Sequence, residues 1–485
     1  MPSLPGYPSQ AGFAGPRISV VIPSWNGRRL LEHCLERLAL ARRWTRQPWE
    51  VLVVDNGSDD GTEAWIRDLR RERPWLRCIR LEKNHGFAGG CNAGIREARG
   101  SHVLLLNNDT LPGIWMCHEM LRVQRRIPGA GLVGAVSNYV KGRQVVALLE
   151  NEGPHDLAAI EERLRAEAGP LVEEVEELAG LSLLAPKAFF DEVGGFAEEY
   201  GLGNYEDDDL CLRARIAGHR LLIAPGAYCH HLGNKTFEAL GDDYRARIES
   251  QAEIHDRRWR TRPLYEVERA LERGDWNGLE ALLEGIAPEG SESAWFERAR
   301  AHLLEARGRF EEAVRYWEAF LRAHPLHAEG RCHHALSLLQ AGREEEGRKA
   351  AARLMGEVHL STLAAASLLS GIARFETRRK RTDEATFYLR KALEVHPGFL
   401  PALNLEAVLH LEAGRFEEAE RALAPFGDKE DPDVLTNLAI ARYRLGKVEE
   451  ATRLFEKAAS LAGPDSPAAA NLAALDGRAP PTGSS

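Results

Sequence analysis

The stretch LLLNNDT, residues 104–110, runs three leucines into two asparagines and an aspartate. An apolar strand that ends this way sets oxygen donors at its tip. Asp109 offers a carboxylate and Asn107 a neutral amide oxygen, donors that suit a hard divalent cation. A turn closing the strand has the same composition, so the segment needs support from elsewhere. YEDDDLCLRAR carries four consecutive acids, Glu206 to Asp209. A helix N-terminus accounts for one or two of them through its dipole. Four adjacent carboxylates repel, which raises the pKa of at least one, and a raised carboxylate is the better general base. Asp209 is expected to cap that helix, with Arg213 one turn on as its partner. In DNGSDDGT, residues 55–62, Asp55 stands just past a strand and can accept the N3–H of a uracil or thymine ring. Gly57, Gly61, Gly86 and Gly89 allow close backbone approach to a ligand. Taken alone, DNGSDDGT is equally a turn followed by a helix cap.

These groups need a scaffold that brings strand ends together. Residues 17–230 alternate short apolar runs (ISVVIP, EVLVVD, LRCIRL, HVLLLN) with amphipathic stretches such as RRLLEHCLERLALA and TEAWIRDLRRE. Strands alternating with helices imply a largely parallel α/β sheet, in which ligands sit at the carboxyl ends of the strands. Pro23 turns the chain out of the first strand. Ser24 and Asn26, Asp55 to Ser58, Asn84, and Asn107 to Asp109 all follow strand ends. After about residue 262 the strand signals stop and a helical repeat takes over. Gly274, Gly308 and Gly342 are 34 residues apart, as are Ala385 and Ala419, and Gly414 to Gly446 spans 32. The glycines suit turns between paired helices, and AHP (323–325) and VHP (395–397) end helices. The period resembles that of tetratricopeptide repeats and implies an all-α solenoid of six imperfect units. The expected organisation is a disordered tail over 1–16, an α/β domain over 17–262, helical repeats over 263–462 and a second disordered tail over 463–485.

A chain of 485 residues has room for two or three domains. The net charge of -10 argues against non-specific nucleic-acid binding. Seven cysteines, irregularly spaced and without a CxxC, point away from disulfides and zinc and towards a reducing compartment. No run approaches the ~18 apolar residues of a membrane span, so no transmembrane segment is expected. The N-terminus lacks the basic and apolar regions of a signal peptide. These features suggest a cytoplasmic protein, peripheral at most to the inner membrane.

In order and spacing, five segments resemble the family 2 glycosyltransferases, in their rhamnosyltransferase-like branch, fused to a tetratricopeptide-repeat domain. ISVVIPSWNGRRLLEHCLERL resembles the family's opening strand, loop and helix, and EVLVVDNGSDDGT its second strand. NHGFAGGCNAGI resembles the Asn-x-Gly-Phe segment, LLLNNDT stands where the family has its DxD motif, and GNYEDDDLCLRARIAGHRLLIAPGAYCHH resembles the acceptor-side segment. The resemblance covers about 17–262. It implies a GT-A fold, a nucleotide-diphosphate sugar donor (UDP-, dTDP- or GDP-linked), a divalent cation (Mn2+ or Mg2+) and inversion at the anomeric carbon. Nucleotide-sugar contacts then fall to Pro23, Ser24, Trp25 and Asn26, to Asp55, Asn56 and Ser58, to Asn84, Gly86, Phe87 and Asn92, and to Asn107 and Asn108. Asp207 is the implied base and Glu206 a neighbour that orients the acceptor. Asp109 and Asn107 are the implied metal ligands. Asn107 in place of a second carboxylate removes one charge, and its alternative role is a contact to ribose or to a ligating water. The resemblance also places a metal-binding histidine near CHH. Adjacent strand residues face opposite sides, so one of His230 and His231 reaches the metal. An H-x-x-G pattern favours His230, and spacing from the acidic cluster favours His231.

Rival classes lack their signatures. No G-x-G-x-x-G follows the first strand, and no P-loop occurs. A processive polysaccharide synthase needs membrane helices and a Q-x-x-R-W segment, and neither is found. The alternative function is a repeat-based scaffold with a degenerate transferase domain. The expected partners are a glycan or protein acceptor and a protein held by the repeats. The segment 138–180 has no readable pattern, and its AAIEERLRAEAGPLVEEVEEL is expected to form a surface helix.

Overall fold

The structure is a computed structural model. It describes residues 18–45, 49–140, 142–146, 157–168, 171–233, 241–286, 290–357, 363–464 and 466–475. The expected tail over 1–16 lies outside the described residues.

Four strands occur where the apolar runs predict them: β1 (Ile18–Ser24), β2 (Trp49–Asp55), β3 (Leu76–Arg80) and β4 (His102–Leu106). They pair in parallel in the order β3-β2-β1-β4. The connecting helices are α1 (Arg28–Thr45), α2 (Thr62–Leu69) and α3 (Gly86–Glu97). The alternation of β1 sorts its side chains between two cores. Ile18, Val20 and Ile22 pack with Leu31, Leu35 and Leu38 of α1. Val21 joins Ala88 and Cys91 of α3 on the other face.

The remainder of the sheet departs from the largely parallel expectation. It comprises β5 (Thr110–Pro112), β6 (Ala130–Val136), β7 (Glu173–Val175), β8 (Ser182–Pro186) and β9 (Arg220–His231). β8 is antiparallel to both β4 and β6, β6 is parallel to β9, and β5 and β7 run antiparallel to β9. The helices of this part are α4 (Met116–Arg126), α5 (Leu157–Ala168), α6 (Lys187–Val193), α7 (Glu206–Ile216) and α8 (Gly241–Trp259). The surface helix expected at AAIEERLRAEAGPLVEEVEEL is instead α5 followed by β7. Glu173 and Glu174 of β7 are buried rather than solvated. Charge pairing makes this possible: Glu174 accepts from Arg220 Nε (3.0 Å) and Nη2 (2.6 Å) and from His324 Nδ1 (2.8 Å).

Contacts divide the chain into a unit over Met1–His359 and a unit over Leu360–Ser485. The boundary expected after residue 262 therefore falls inside the first unit. Three helical hairpins belong to that unit: α9 (Pro263–Arg273) with α10 (Trp276–Gly285), α11 (Ser293–Ala306) with α12 (Phe310–Ala323), and α13 (Ala328–Gln340) with α14 (Glu344–Glu357). They are fastened to the α/β part by Glu174 N–H to Leu326 O (3.0 Å), Arg143 to Glu329 (2.9 Å) and Arg298 to Glu176 (2.8 Å). Leu212 of α7 shares a core with Leu264, Trp295 and Phe296 of these hairpins.

The second unit holds α15 (Leu363–Arg378) with α16 (Thr382–Val395), α17 (Leu400–Glu412) with α18 (Phe416–Leu423), and α19 (Pro432–Arg444) with α20 (Val448–Ala462). The turn glycines Gly274, Gly308, Gly342, Gly414 and Gly446 all have φ between 64° and 82°, as the repeat predicts. The turn between α15 and α16 puts Lys380 at φ 59° instead. Part of the expected C-terminal tail is ordered: α21 (Pro467–Leu475) buries Ala468 against Leu435 and Ala458 and so covers the apolar face of the last hairpin.

Candidate active site

Two ligand-bearing edges meet at the turn after β4. Asn107 Oδ1 and Asp109 Oδ1 are buried and have no hydrogen-bond partner among the described residues. Asp109 Oδ2 lies 3.1 Å from His231 Nε2. The β5–β9 pairing creates this contact, since Thr110 stands opposite His231. His231 Nδ1 is 2.9 Å from Tyr139 O, and a carbonyl only accepts, so Nδ1 carries a proton. Burial pulls the His231 pKa down, but the hydrogen bond and charge of Asp109 outweigh it and leave it raised. A proton held between a carboxylate and an imidazole is one a metal ion displaces. His230 turns the other way, buried with Nδ1 3.0 Å from the Tyr228 hydroxyl. Of the two candidate ligands, His231 reaches the 107–109 turn and His230 does not. Two orphaned oxygens and an imidazole whose Nδ1 is tied to a carbonyl fit a divalent cation.

The acidic run starts α7. Tyr205 before it is left-handed, with φ 66°. Glu206 is 7% exposed, and its Oε2 has no hydrogen-bond partner among the described residues. Burial, and then the charges of Asp207 and Asp208, push its pKa up to about 8. At neutral pH Glu206 is therefore mainly a neutral acid, able to donate a hydrogen bond. Asp207 Oδ2 accepts from Gly180 N–H (2.8 Å), which fixes the carboxylate. Asp209 is not the helix cap expected. It lies fully buried, one oxygen 2.7 Å from Arg213 and the other accepting from Trp259 Nε1 (3.0 Å) and Arg258 Nε (2.8 Å). The far end of α7 is held by Arg215, which is bidentate to Glu268 and stacks 4.7 Å over Trp295. The helical hairpins thus position the acidic helix.

A cavity of about 1090 Å³ joins these groups. Asn107, His231 and Tyr139 wall one part, and Phe87, Gly180, Glu206 and Asp207 another. Leu271, Trp276, Arg298, His302 and Glu329 from the hairpins also line it.

The expected nucleotide contacts divide into two kinds. Trp25 and Asn26 are exposed, and Asn26 has φ 47° with Oδ1 accepting from Asp59 N–H (2.9 Å). Pro23 lies within β1, and Ser24 Oγ accepts from Asn108 Nδ2 (3.0 Å), linking this loop to the 107–109 turn. Asp55 has no exposed surface. Its oxygens accept from Arg80 Nη1 (2.5 Å) and Ser58 N–H (3.0 Å). Asn56 braces the next loop through Gly86 O (2.8 Å) and His85 N–H (2.9 Å), and Asn84 caps the Gly86 N–H (2.9 Å). Gly86 has φ 75°, and a Cβ there would stand 1.8 Å from Gly201 O. Asn92 binds Phe196 O (2.9 Å) and Glu198 (2.8 Å), which makes it a brace rather than a ligand contact. Sequence reasoning missed Arg80, Tyr139 and Gly180. Arg80 stands opposite Asp55 in the β2–β3 register, which only the structure shows.

The glycosyl transferase family 2 model matches residues 19–164, which contain the Asp55 loop and the 107–109 turn. Residues 19–164 belong to glycosyl transferase family 2. Tetratricopeptide repeat models match residues 293–357, 377–425 and 433–467. The chain thus joins a mixed α/β domain that matches the family 2 model to tetratricopeptide repeats. The uncharacterized protein y4gI of Sinorhizobium fredii is 28% identical over 281 residues, 54% of this chain and 30% of that protein. The chain thus spans less than a third of that relative. The N-acetylglucosaminyl-diphospho-decaprenol L-rhamnosyltransferase of Mycobacterium tuberculosis is 29% identical over 249 residues, 45% of this chain and 77% of that protein. Among solved structures, the mannosyltransferase PcManGT from Pyrobaculum calidifontis, in complex with GDP-Man and Mn2+, aligns with TM-score 0.37 at 18% identity. That alignment covers 79% of this chain and 87% of the other. No helix among the described residues is long and apolar enough to cross a membrane.

Proposed function

We propose that the chain is a metal-dependent, inverting glycosyltransferase. It moves a sugar from a UDP-, dTDP- or GDP-linked donor to a hydroxyl of a glycan or protein acceptor. The observation that carries this reading is the pair of orphaned oxygens on Asn107 and Asp109 with His231 beside them, Asn107 and His231 lining the same cavity as Glu206 and Asp207. Asn107, Asp109 and His231 would hold the cation, which when bound neutralises charge developing on the leaving diphosphate. Asp207 removes the acceptor proton, its carboxylate oriented by Gly180 N–H. Glu206, protonated at neutral pH, donates a hydrogen bond to the acceptor. Exposed Trp25 offers a stacking face to a nucleobase. The hairpins that line the cavity hold the acceptor, and the later repeats bind a protein partner. The name of the mycobacterial relative makes nucleotide-linked L-rhamnose and lipid-diphosphate glycans the first donor and acceptor to try. Seven free cysteines fit action in the cytoplasm, at the inner-membrane surface if the acceptor is lipid-linked.

The test is nucleotide release from a panel of nucleotide sugars. Mn2+ should support turnover and chelation should abolish it. Full turnover in excess chelator, with metal absence verified, refutes the metal role. A panel in which no nucleotide sugar binds or turns over refutes the transferase reading.

A further inference from the structure

We propose that His302, Glu329 and His333 bind a divalent transition metal of the zinc class, at a site separate from Asp109 and His231. One ligand atom from each lies within 4.8 Å of the others. His302 belongs to α11, and Glu329 and His333 stand one turn apart on α13. The metal therefore joins two hairpins. Two imidazoles and one carboxylate make a three-ligand set of the kind zinc takes with a position left open.

The surroundings orient the ligands. His333 Nδ1 is 2.8 Å from Glu305 Oε2, which leaves Nε2 facing Glu329 Oε1 at 3.9 Å. His302 turns Nδ1 towards the same Glu305 oxygen at 3.7 Å. Glu305 is itself fixed by Trp317 Nε1 (2.9 Å) and Ser337 Oγ (2.5 Å). A carboxylate behind a ligating histidine sets its tautomer and raises its basicity. The cations nearby approach the other oxygen of Glu329. Arg143 is 2.9 Å and Arg298 3.6 Å from Oε2, so Oε1 is left towards the histidines. An ion can enter, because His302 and Glu329 line the cavity. An internal ion-pair network would explain Glu305 and His333. It gives no reason for a second imidazole, His302, to meet His333 edge-on at 4.6 Å within reach of the Glu329 carboxylate.

The experiment titrates the full chain with Co2+ and Zn2+. It reads the visible Co2+ absorption and the Zn2+ affinity by calorimetry. The Asp109→Asn/His231→Gln variant should retain a nitrogen-ligated Co2+ spectrum and tight Zn2+ binding. His302→Gln/His333→Gln in that background should lose both. Glu305→Gln should weaken Zn2+ binding roughly 10- to 100-fold. If the double histidine variant does not fold by circular dichroism, Glu329→Gln is read in its place, with at least a tenfold loss expected. Absence of Zn2+ binding by the folded Asp109→Asn/His231→Gln protein overturns the proposal. So does unchanged affinity when the three ligands are replaced. Neither outcome bears on glycosyl transfer, so this site and the transferase reading stand or fall separately.

Discussion

Replacing Glu206 by glutamine should stabilise the protein, and the gain should grow with pH. Glu206 is buried beside Asp207 and Asp208, with a pKa near 8 in the folded chain and near 4.5 when unfolded. Between these values the unfolded chain has lost the proton and the folded chain keeps it. The native state then binds more protons, so wild-type stability decreases as pH rises from about 4.5 to about 8 and levels off above. At about 1.4 kcal/mol per pH unit, a gap of about 3.5 units amounts to about 5 kcal/mol. Glutamine has no proton to lose and keeps the shape of the neutral acid. The Glu206→Gln advantage should therefore increase by about 5 kcal/mol between pH 4.5 and 8. All ten tryptophans lie at or before Trp317, within the first compact unit, so fluorescence during urea unfolding reports that unit alone. Parallel stability–pH curves for variant and wild type would refute the buried, protonated Glu206.

Asp207→Asn keeps the size of the side chain and removes its basicity, so donor affinity should persist while turnover falls roughly 10²- to 10⁴-fold. Nucleotide release and donor titration on the same sample check it, and near-normal turnover would reassign the base. Asp209→Asn leaves Arg213 and Arg258 facing a neutral amide in a buried site, at a cost of about 3–5 kcal/mol. Thermal melting measures this, and a shift close to zero would mean the pairs are not formed in solution. Lys380→Gly relieves a left-handed lysine where other repeats have glycine, and should stabilise the second unit by about 0.5–1 kcal/mol, read by circular dichroism.

Much of the fold was legible because it rests on local signals. Four apolar runs became β1 to β4, and the 34-residue spacing of glycines marked the hairpin turns. Lys380 carries no such mark, since its conformation comes from the helices around it. The segment ending in VEEVEEL read as a solvated helix because glutamates are usually exposed. Its partners, Arg143, Arg220, Arg298, His324 and His327, are scattered along the chain and come together only in three dimensions. At the site, residue types pointed to Asn107, Asp109 and the acidic run. Strand alternation said that one histidine of the pair faces Asp109, but only the β5–β9 register says it is His231. Asn92 and Asn56 matched a motif, yet in space they tie loops together. Gly180 contributes a backbone N–H, which leaves no trace in residue identity.

The hairpins over 263–357 share a compact unit with the transferase domain, and their attachment is made of paired charges. Such an attachment limits how the gene can be recombined. A crossover after residue 262 would separate Glu176 from Arg298 and Arg215 from Glu268, and would leave Glu174 with Arg220 but without His324. Swapping in a foreign repeat array there demands matching charges at each point, which unrelated arrays do not supply. Lineages of this protein should therefore inherit the first three hairpins and the α/β domain as one block.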